Sequence, residues 1–171
     1  MMMGRTEELP ISDRSLATLY ERHAGEALGF AYLLTSDRAL AEDLMQEAFV
    51  RVARRLVHLR QPDAFGAYLR RSIVNLANSH FRRRAIERRH LPREARPEAT
   101  ADPDPGDRVA VRTAIAALPV RQRTALVLRY YEGLPEAEIA QLMRCRTGAV
   151  KQLVFRATQT LRRELGEEEE G

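Results

Sequence analysis

The chain has 171 residues and a formal charge of +4, from 28 basic and 24 acidic side chains. That length allows one domain of ordinary size or two small ones. A hydrophobic content of 44% is that of a folding chain. The single cysteine, Cys145, excludes an internal disulfide framework and a multi-cysteine zinc site. No apolar run near the start is long enough for a secretory signal or a membrane span, so we expect a soluble cytoplasmic protein without membrane insertion.

The charges are segregated along the chain. Residues 7–47 carry a net −6 and residues 51–96 a net +10, whereas the stretches 97–107 and 167–170 carry −4 each. Codon bias explains in part why arginine nearly excludes lysine, but it does not explain why the acids avoid residues 51–96. Two basic blocks separated by an acidic, proline-containing stretch predict two polyanion-binding modules on a tether.

Apolar residues recur at helical spacing throughout, which predicts an all-α fold. Ser12 and Asp13 can cap the first helix. Thr35-Ser36-Asp37 predicts a short break between the first and second helices and supplies capping residues for the second. In chain order, the predicted helices cover about residues 12–34, 38–59, 64–84, 107–118, 120–132, 135–143 and 147–165.

The helices fall into two small domains. Residues 12–90 are predicted to form an N-terminal helical bundle and residues 108–165 a helix-turn-helix domain. Residues 91–107 are rich in proline and acids and poor in apolar side chains, so they are predicted to form a flexible linker. The ends, 1–11 and 166–171, are predicted to be disordered.

The C-terminal domain carries the most specific local pattern, a short helix, a tight connection through Cys145 and a longer helix. At 100° per residue, the longer helix has one apolar face and one polar face. A recognition helix needs cations for phosphates, an amide for a base edge and an apolar group for a thymine methyl. An ordinary helical hairpin with a solvated face explains an exposed Phe155 poorly. The inward residues are Val150, Val154, Ala157 and Leu161, and the outward ones Lys151, Gln152, Phe155, Arg156, Gln159 and Arg163.

The third predicted helix also has one apolar side and one polar side. Leu69, Ile73, Leu76 and Ala77 form its apolar side. The opposite stripe combines cations and amides, bordered by an aromatic residue and a serine, which suits a nucleic-acid strand with unstacked bases. A solvated arginine face is the alternative. The stripe consists of Arg71, Asn75, Asn78 and Arg82, bordered by Tyr68 and Ser79.

The second predicted helix carries leucines and acids opposite its apolar stripe. Leu40 and Leu44 lie beside Asp43 and Glu47. Exposed leucines among carboxylates indicate a protein contact, since the acids would repel phosphate. Burial of this helix on two sides of its bundle explains the pattern equally well.

Catalysis has little support in the sequence. The four histidines are not paired at metal-ligand spacing, and neither a glycine-rich phosphate loop nor a nucleophile elbow is present. We therefore predict no enzyme activity, no cofactor and no metal, with Cys145 as a small residue of the helix-turn-helix connection.

Three segments carry a family resemblance: AEDLMQEAFVRV (41–52), AYLRRSIVNLANSHFRRR (67–84) and ALPVRQRTALVLRYYEGLPEAEIAQLM (117–143). In their order and spacing they resemble the extracytoplasmic-function (ECF, group IV) sigma factors, the smallest group of RNA polymerase specificity subunits. The resemblance runs from about Leu16 to Leu165. The family pattern usually has tryptophan, aspartate and threonine where this chain has Tyr68, Ser79 and Ala149.

The resemblance implies roles for these surfaces. In the family, the second helix docks on a coiled coil of the polymerase β′ subunit, the third helix and the loop before it read the single-stranded −10 element, and the recognition helix reads the duplex −35 element. The implied polymerase-binding residues are Leu40, Asp43, Leu44, Gln46, Glu47 and Phe49. The implied −10 residues are Asp63, Ala64, Phe65, Tyr68, Arg71, Asn75, Asn78 and Arg82, and the implied −35 residues are Thr147, Lys151, Gln152, Phe155 and Arg156.

The sequence thus predicts a dissociable sigma factor with core RNA polymerase (β′ and β subunits) and promoter DNA as partners. The family commonly has anti-sigma factors, which adds one as an implied partner, although no residue here points to it. The alternative is a stand-alone helix-turn-helix transcriptional regulator, in which the N-terminal bundle dimerises or senses a signal.

Overall fold

The computed structural model describes residues 11–55, 64–90 and 107–166, and within these ranges every regular element is a helix. None of the described helices is long and apolar enough to cross a membrane. The helices are α1 (Ile11–Thr35), α2 (Arg38–Arg54), α3 (Phe65–His90), α4 (Asp107–Ala117), α5 (Val120–Leu126) with a π-helical continuation (Val127–Tyr131), α6 (Glu136–Met143) and α7 (Thr147–Glu164).

The break between α1 and α2 is capped as the sequence predicts. Ser36 adopts a positive φ of 55°, and the side chain of Asp37 accepts a hydrogen bond from the backbone N–H of Leu40 at 3.1 Å. The hydroxyl of Thr35 donates to the carbonyl of Ala31 at 2.8 Å. This tight corner turns α2 back onto α1. At the other end, α1 begins at Ile11, so the predicted caps lie in its first turn.

Two helix ends differ from the sequence expectation. α2 ends at Arg54, and the predicted continuation to residue 59 lies outside the described residues. α3 ends at His90, six positions beyond the predicted end in the arginine cluster. The helix therefore includes about two more turns than predicted, and these turns carry further arginines.

α1, α2 and α3 pack pairwise into an N-terminal module. Phe30, Leu34 and Ile73 are essentially inaccessible to solvent, and complete burial of such a side chain contributes roughly 1.5–3 kcal/mol. Phe49 joins the core edge-on to Phe65, with ring centroids 5.5 Å apart. All four residues predicted for the apolar side of α3 are buried, which confirms that assignment.

α4 to α7 form the C-terminal module, in which α7 packs against α4, α5 and α6. Val150 and Ala157 of α7 are fully buried, as predicted. α6 ends where Arg144 adopts a left-handed conformation (φ 52°), and the backbone N–H of Cys145 then donates to the carbonyl of Ala140 at 3.0 Å. This short connection sets the angle between α6 and α7.

The two modules are packed against each other. α1 contacts α4, α5 and the π-helical turn, and α3 contacts α6. Val127 and Leu128 belong to the same buried cluster as Phe30 and Leu34 of the N-terminal module. The sequence predicted two modules on a tether and gave no sign of this interface, because no periodic pattern marks it. Most of the predicted linker, residues 91–106, lies outside the described residues.

Candidate nucleic-acid and protein-binding surfaces

The outer face of α7 presents the residues that the sequence predicts for base reading. Lys151, Gln152 and Arg156 are exposed, and Phe155 is 63% exposed although it is a large apolar side chain. Nζ of Lys151 lies 3.8 Å from Glu136 Oε2 in an exposed pair, which binds the amine only loosely. Thr147 is exposed at the start of the helix. The face therefore offers cations, an amide and an apolar group on one rigid helix.

The polar stripe of α3 is also exposed. Arg71, Asn75 and Arg82 face solvent, Asn78 is half-buried, and Tyr68 is 44% exposed at the border. These side chains recur about every turn along one side of the helix. The arrangement combines cationic, amide and aromatic groups for a strand with unstacked bases.

The three residues predicted to contact DNA at the start of α3 are not all exposed. Asp63 lies outside the described residues, and Ala64 is half-buried. Phe65 is only 1% exposed and packs on Phe49 and His23, so the expectation that Phe65 touches DNA is wrong in this structure. The reason is its position one turn before Leu69, on the core side of α3.

The stripe on α3 continues beyond the predicted site. Ile86 and Arg89 follow Arg82 at four and seven positions, so they lie on the same side of the helix. Both are exposed, Ile86 by 52%. Seven residues of helix add about 10 Å to the stripe. The helix predicted from the sequence ended in the arginine cluster, so this extension was not among the predicted contacts. The same helical spacing, continued for two more turns, includes it.

The second predicted contact face, on α2, is narrower than expected. Leu44 is buried, and Leu40 and Phe49 are half-buried against the core. The expectation of exposed leucines is therefore wrong for Leu44. The physical reason is that α2 packs against both α1 and α3, so its apolar side is wide.

What remains exposed on α2 is acidic and amide-bearing. Asp43, Gln46 and Glu47 face solvent, and Glu47 pairs with Arg51 one turn on. Val50, which is not among the predicted contact residues, is 47% exposed on the same side. An isolated apolar residue bordered by acids suits a protein surface better than a phosphate backbone.

Two of the histidines, His23 and His80, pack against aromatic rings. His23 contacts Phe65 and His80 contacts Phe81, with ring centroids 5.4 and 5.6 Å apart. Burial lowers the pKa of both histidines, and nearby arginines lower it further. Among the described residues, no three His, Cys, Asp or Glu side chains are grouped as metal ligands.

Polar side chains also meet where the two modules touch. Arg70 of α3 forms an ion pair with Glu132, and Arg123 of α5 donates to the hydroxyl of Ser36 at 3.1 Å. Arg123 is only 7% exposed. The sequence offered no signal for these pairs, since their members are far apart in the chain.

These features define a class of protein: an all-helical DNA-binding protein with a helix-turn-helix, a second cationic face on a separate helical module and an acidic surface suited to a protein partner. The sigma-70 region 2 family model matches residues 19–86, and the sigma-70 region 4 model matches residues 108–161. The region 2 match covers α2 and most of α1 and α3, and the region 4 match covers the helix-turn-helix.

Two relatives that match most of the chain are RNA polymerase sigma factors. RNA polymerase sigma-H factor of Pseudomonas aeruginosa is 31% identical, over 86% of this chain and 84% of that protein. The ECF RNA polymerase sigma factor SigE of Mycolicibacterium smegmatis is 34% identical, over 84% of this chain and 59% of that protein. The chain belongs to the sigma-70 family of RNA polymerase sigma factors, in its ECF group.

A solved structure shares the fold. The sigma factor RpoE of Bartonella quintana, crystallised in complex with the anti-sigma factor NepR, superposes with a TM-score of 0.70 at 22% sequence identity. The match covers 90% of this chain and 98% of the other, so it extends over both modules.

Proposed function

We propose that this chain is a dissociable sigma factor that binds core RNA polymerase and directs it to promoters with a −10 and a −35 element. The observation that carries the proposal is the presence of both sigma-70 regions, in order, in one chain of which 84% matches an ECF sigma factor. The sigma factor itself supplies recognition and no catalytic group.

We assign reading of the −35 element to α7. Lys151 and Arg156 would neutralise phosphates, Gln152 would pair with a base edge, and Phe155 would contact a thymine methyl. The exposure of these four side chains on one face supports the assignment. Thr147, at the first turn of the helix, would contact the backbone next to them.

We assign the melted −10 strand to the outer stripe of α3. Tyr68 supplies a surface for base stacking, which is worth roughly 1–3 kcal/mol per base. Arg71, Asn75, Asn78 and Arg82 would hold the backbone and base edges. Asp63, which lies outside the described residues, and Ala64 stay predicted −10 contacts, whereas Phe65 packs in the core.

We assign contact with the polymerase β′ subunit to the exposed side of α2. Asp43, Gln46 and Glu47 provide the polar groups, and Val50 provides the apolar one. Leu40, Leu44 and Phe49 shape this surface from beneath. We expect the protein to act in the cytoplasm, where core polymerase and the chromosome are found.

An anti-sigma factor is a further proposed partner. The Bartonella quintana sigma factor that shares this fold was crystallised with one. The stand-alone helix-turn-helix regulator is the less favoured reading, because such a protein has no need of a sigma region 2. It predicts a homodimer that binds a specific duplex without polymerase.

The proposal is tested by mapping transcript start sites after controlled overexpression. We expect a set of induced starts that share two sequence elements at fixed upstream distances. Induced starts without any shared pair of elements would contradict the proposal, and a palindrome in place of the pair would favour the stand-alone regulator.

A further inference from the structure

An open cleft adjoins the proposed −35 face. It has a volume of about 730 Å³ and lies between α6 and the first turn of α7. Ala137 and Gln141 line its α6 side, and Thr147 lines its α7 side. Two arginines of the connection between the helices, Arg144 and Arg146, also line it. Because Thr147 belongs to the residues assigned to the −35 element, the cleft is continuous with that face.

The lining of the cleft is cationic. Arg144 and Arg146 are both exposed, and none of the described side chains that line the cleft is acidic. Ala137 is exposed and carries only a methyl group, so a bulky group can approach α6 closely there. A guanidinium group matches the oxygens of a phosphate, which it can bind through two hydrogen bonds at once. The lining therefore suits a phosphate group.

The cleft lies where a bound duplex would present its phosphates. Lys151 follows Thr147 by one turn, so both lie on the same side of α7. Lys151 Nζ is 3.8 Å from Glu136 Oε2, and Glu136 is the first residue of α6, so the start of α6 meets the reading side of α7. In helix-turn-helix proteins the second helix lies in the major groove while the first crosses the DNA backbone. A cleft between the two helices therefore faces the backbone.

Arg144 occupies its position at a conformational cost. Its backbone is left-handed, with φ 52° and ψ 51°, a conformation that glycine normally supplies at the end of a helix. The turn does not depend on the arginine side chain, because backbone groups make its hydrogen bonds. The N–H of Arg144 donates to the carbonyl of Gln141 at 3.3 Å, and the N–H of Cys145 donates to the carbonyl of Ala140 at 3.0 Å. A strained, exposed residue whose side chain the turn does not require indicates a binding role.

We propose that Arg144 binds a phosphate of the DNA backbone in this cleft, beside the bases that α7 reads, with Arg146 adding to the positive potential. The contact holds the helix-turn-helix on the duplex. It carries no sequence information, because every nucleotide presents the same phosphate. The proposal rests on the assignment of α7 to duplex DNA, and it adds a contact outside the −35 residues predicted from the sequence.

Duplex binding by the free, full-length protein at several salt concentrations tests the contact. We expect Arg144→Gln to reduce the magnitude of the slope of log K against log salt by about 0.9, the effect of one lost phosphate contact. The reduction should be equal on two duplexes of unrelated sequence, since a phosphate contact is independent of sequence. Fluorescence anisotropy of the labelled duplexes measures the slope.

Arg144→Gly separates binding from folding. Glycine removes the guanidinium group and also relieves the left-handed backbone, so we expect the same loss of slope together with a melting temperature about 2–4 °C higher. Arg144→Gln keeps the left-handed backbone strained, so its melting temperature should equal that of the parent. A lower melting temperature for Arg144→Gly would show that the arginine serves the fold, and it would overturn the inference.

Two further variants separate this proposal from the assignment of α7. Arg38→Gln removes the same charge from α2, outside the helix-turn-helix, and should leave the slope unchanged. Lys151→Gln, on the proposed −35 face, should lower the slope if α7 binds the duplex. Unchanged slopes for both Arg144 variants, with a lower slope for Lys151→Gln, would overturn the proposal and leave the assignment of α7 intact. An unchanged slope for Lys151→Gln as well would overturn both.

Discussion

Two acidic side chains on α2 carry the proposed polymerase contact. Asp43 and Glu47 are exposed, so changing them alters the surface without disturbing the core. We expect Asp43→Arg and Glu47→Arg each to weaken binding to purified core polymerase by at least about tenfold, since reversal of an interface charge leaves its partner repelled. Native gel titration measures this. As a control, Glu21→Arg makes the same kind of charge reversal at an exposed position of α1 and should bind normally. Undiminished binding by both α2 variants would refute the assignment.

On α7, the most telling single residue is Phe155. At 63% exposure it contributes little to the fold, so Phe155→Ala should leave the melting temperature unchanged. Loss of an apolar contact with a thymine methyl should reduce transcription from −35-dependent promoters about tenfold, the lower part of the range for a base-reading contact. Val111→Ala, another exposed apolar residue of the same module, serves as control and should have no effect.

At the scale of elements, the extended α3 stripe makes a quantitative prediction about salt. If Arg82 and Arg89 each neutralise one phosphate, Arg82→Gln and Arg89→Gln should each reduce the magnitude of the slope of log K against log salt by about 0.7–0.9. Promoter binding by the reconstituted holoenzyme at several salt concentrations measures that slope. Arg38→Gln, whose partner Glu42 lies on α2, should not change it. An unchanged slope for Arg89→Gln would mean that the DNA contact ends at Arg82 and does not extend to Arg89.

The helices themselves were predictable because each has apolar residues every three to four positions. The corner at Asp37 and the outward faces of α3 and α7 followed from the same reasoning. The burial of Leu44 and Phe65 did not, because it depends on which helices flank α2 and the start of α3. The contacts between the two modules were beyond prediction, since Arg123 and Ser36 are 87 positions apart and no local pattern relates them.

The central claim is that this chain gives core RNA polymerase its promoter specificity. Reconstituted transcription tests it most directly: purified core polymerase, with and without the protein, on a library of templates covering the genome of its source. We predict discrete transcripts only when the protein is present, with starts that share a −10 and a −35 element. The absence of any transcript that depends on the protein would contradict the account.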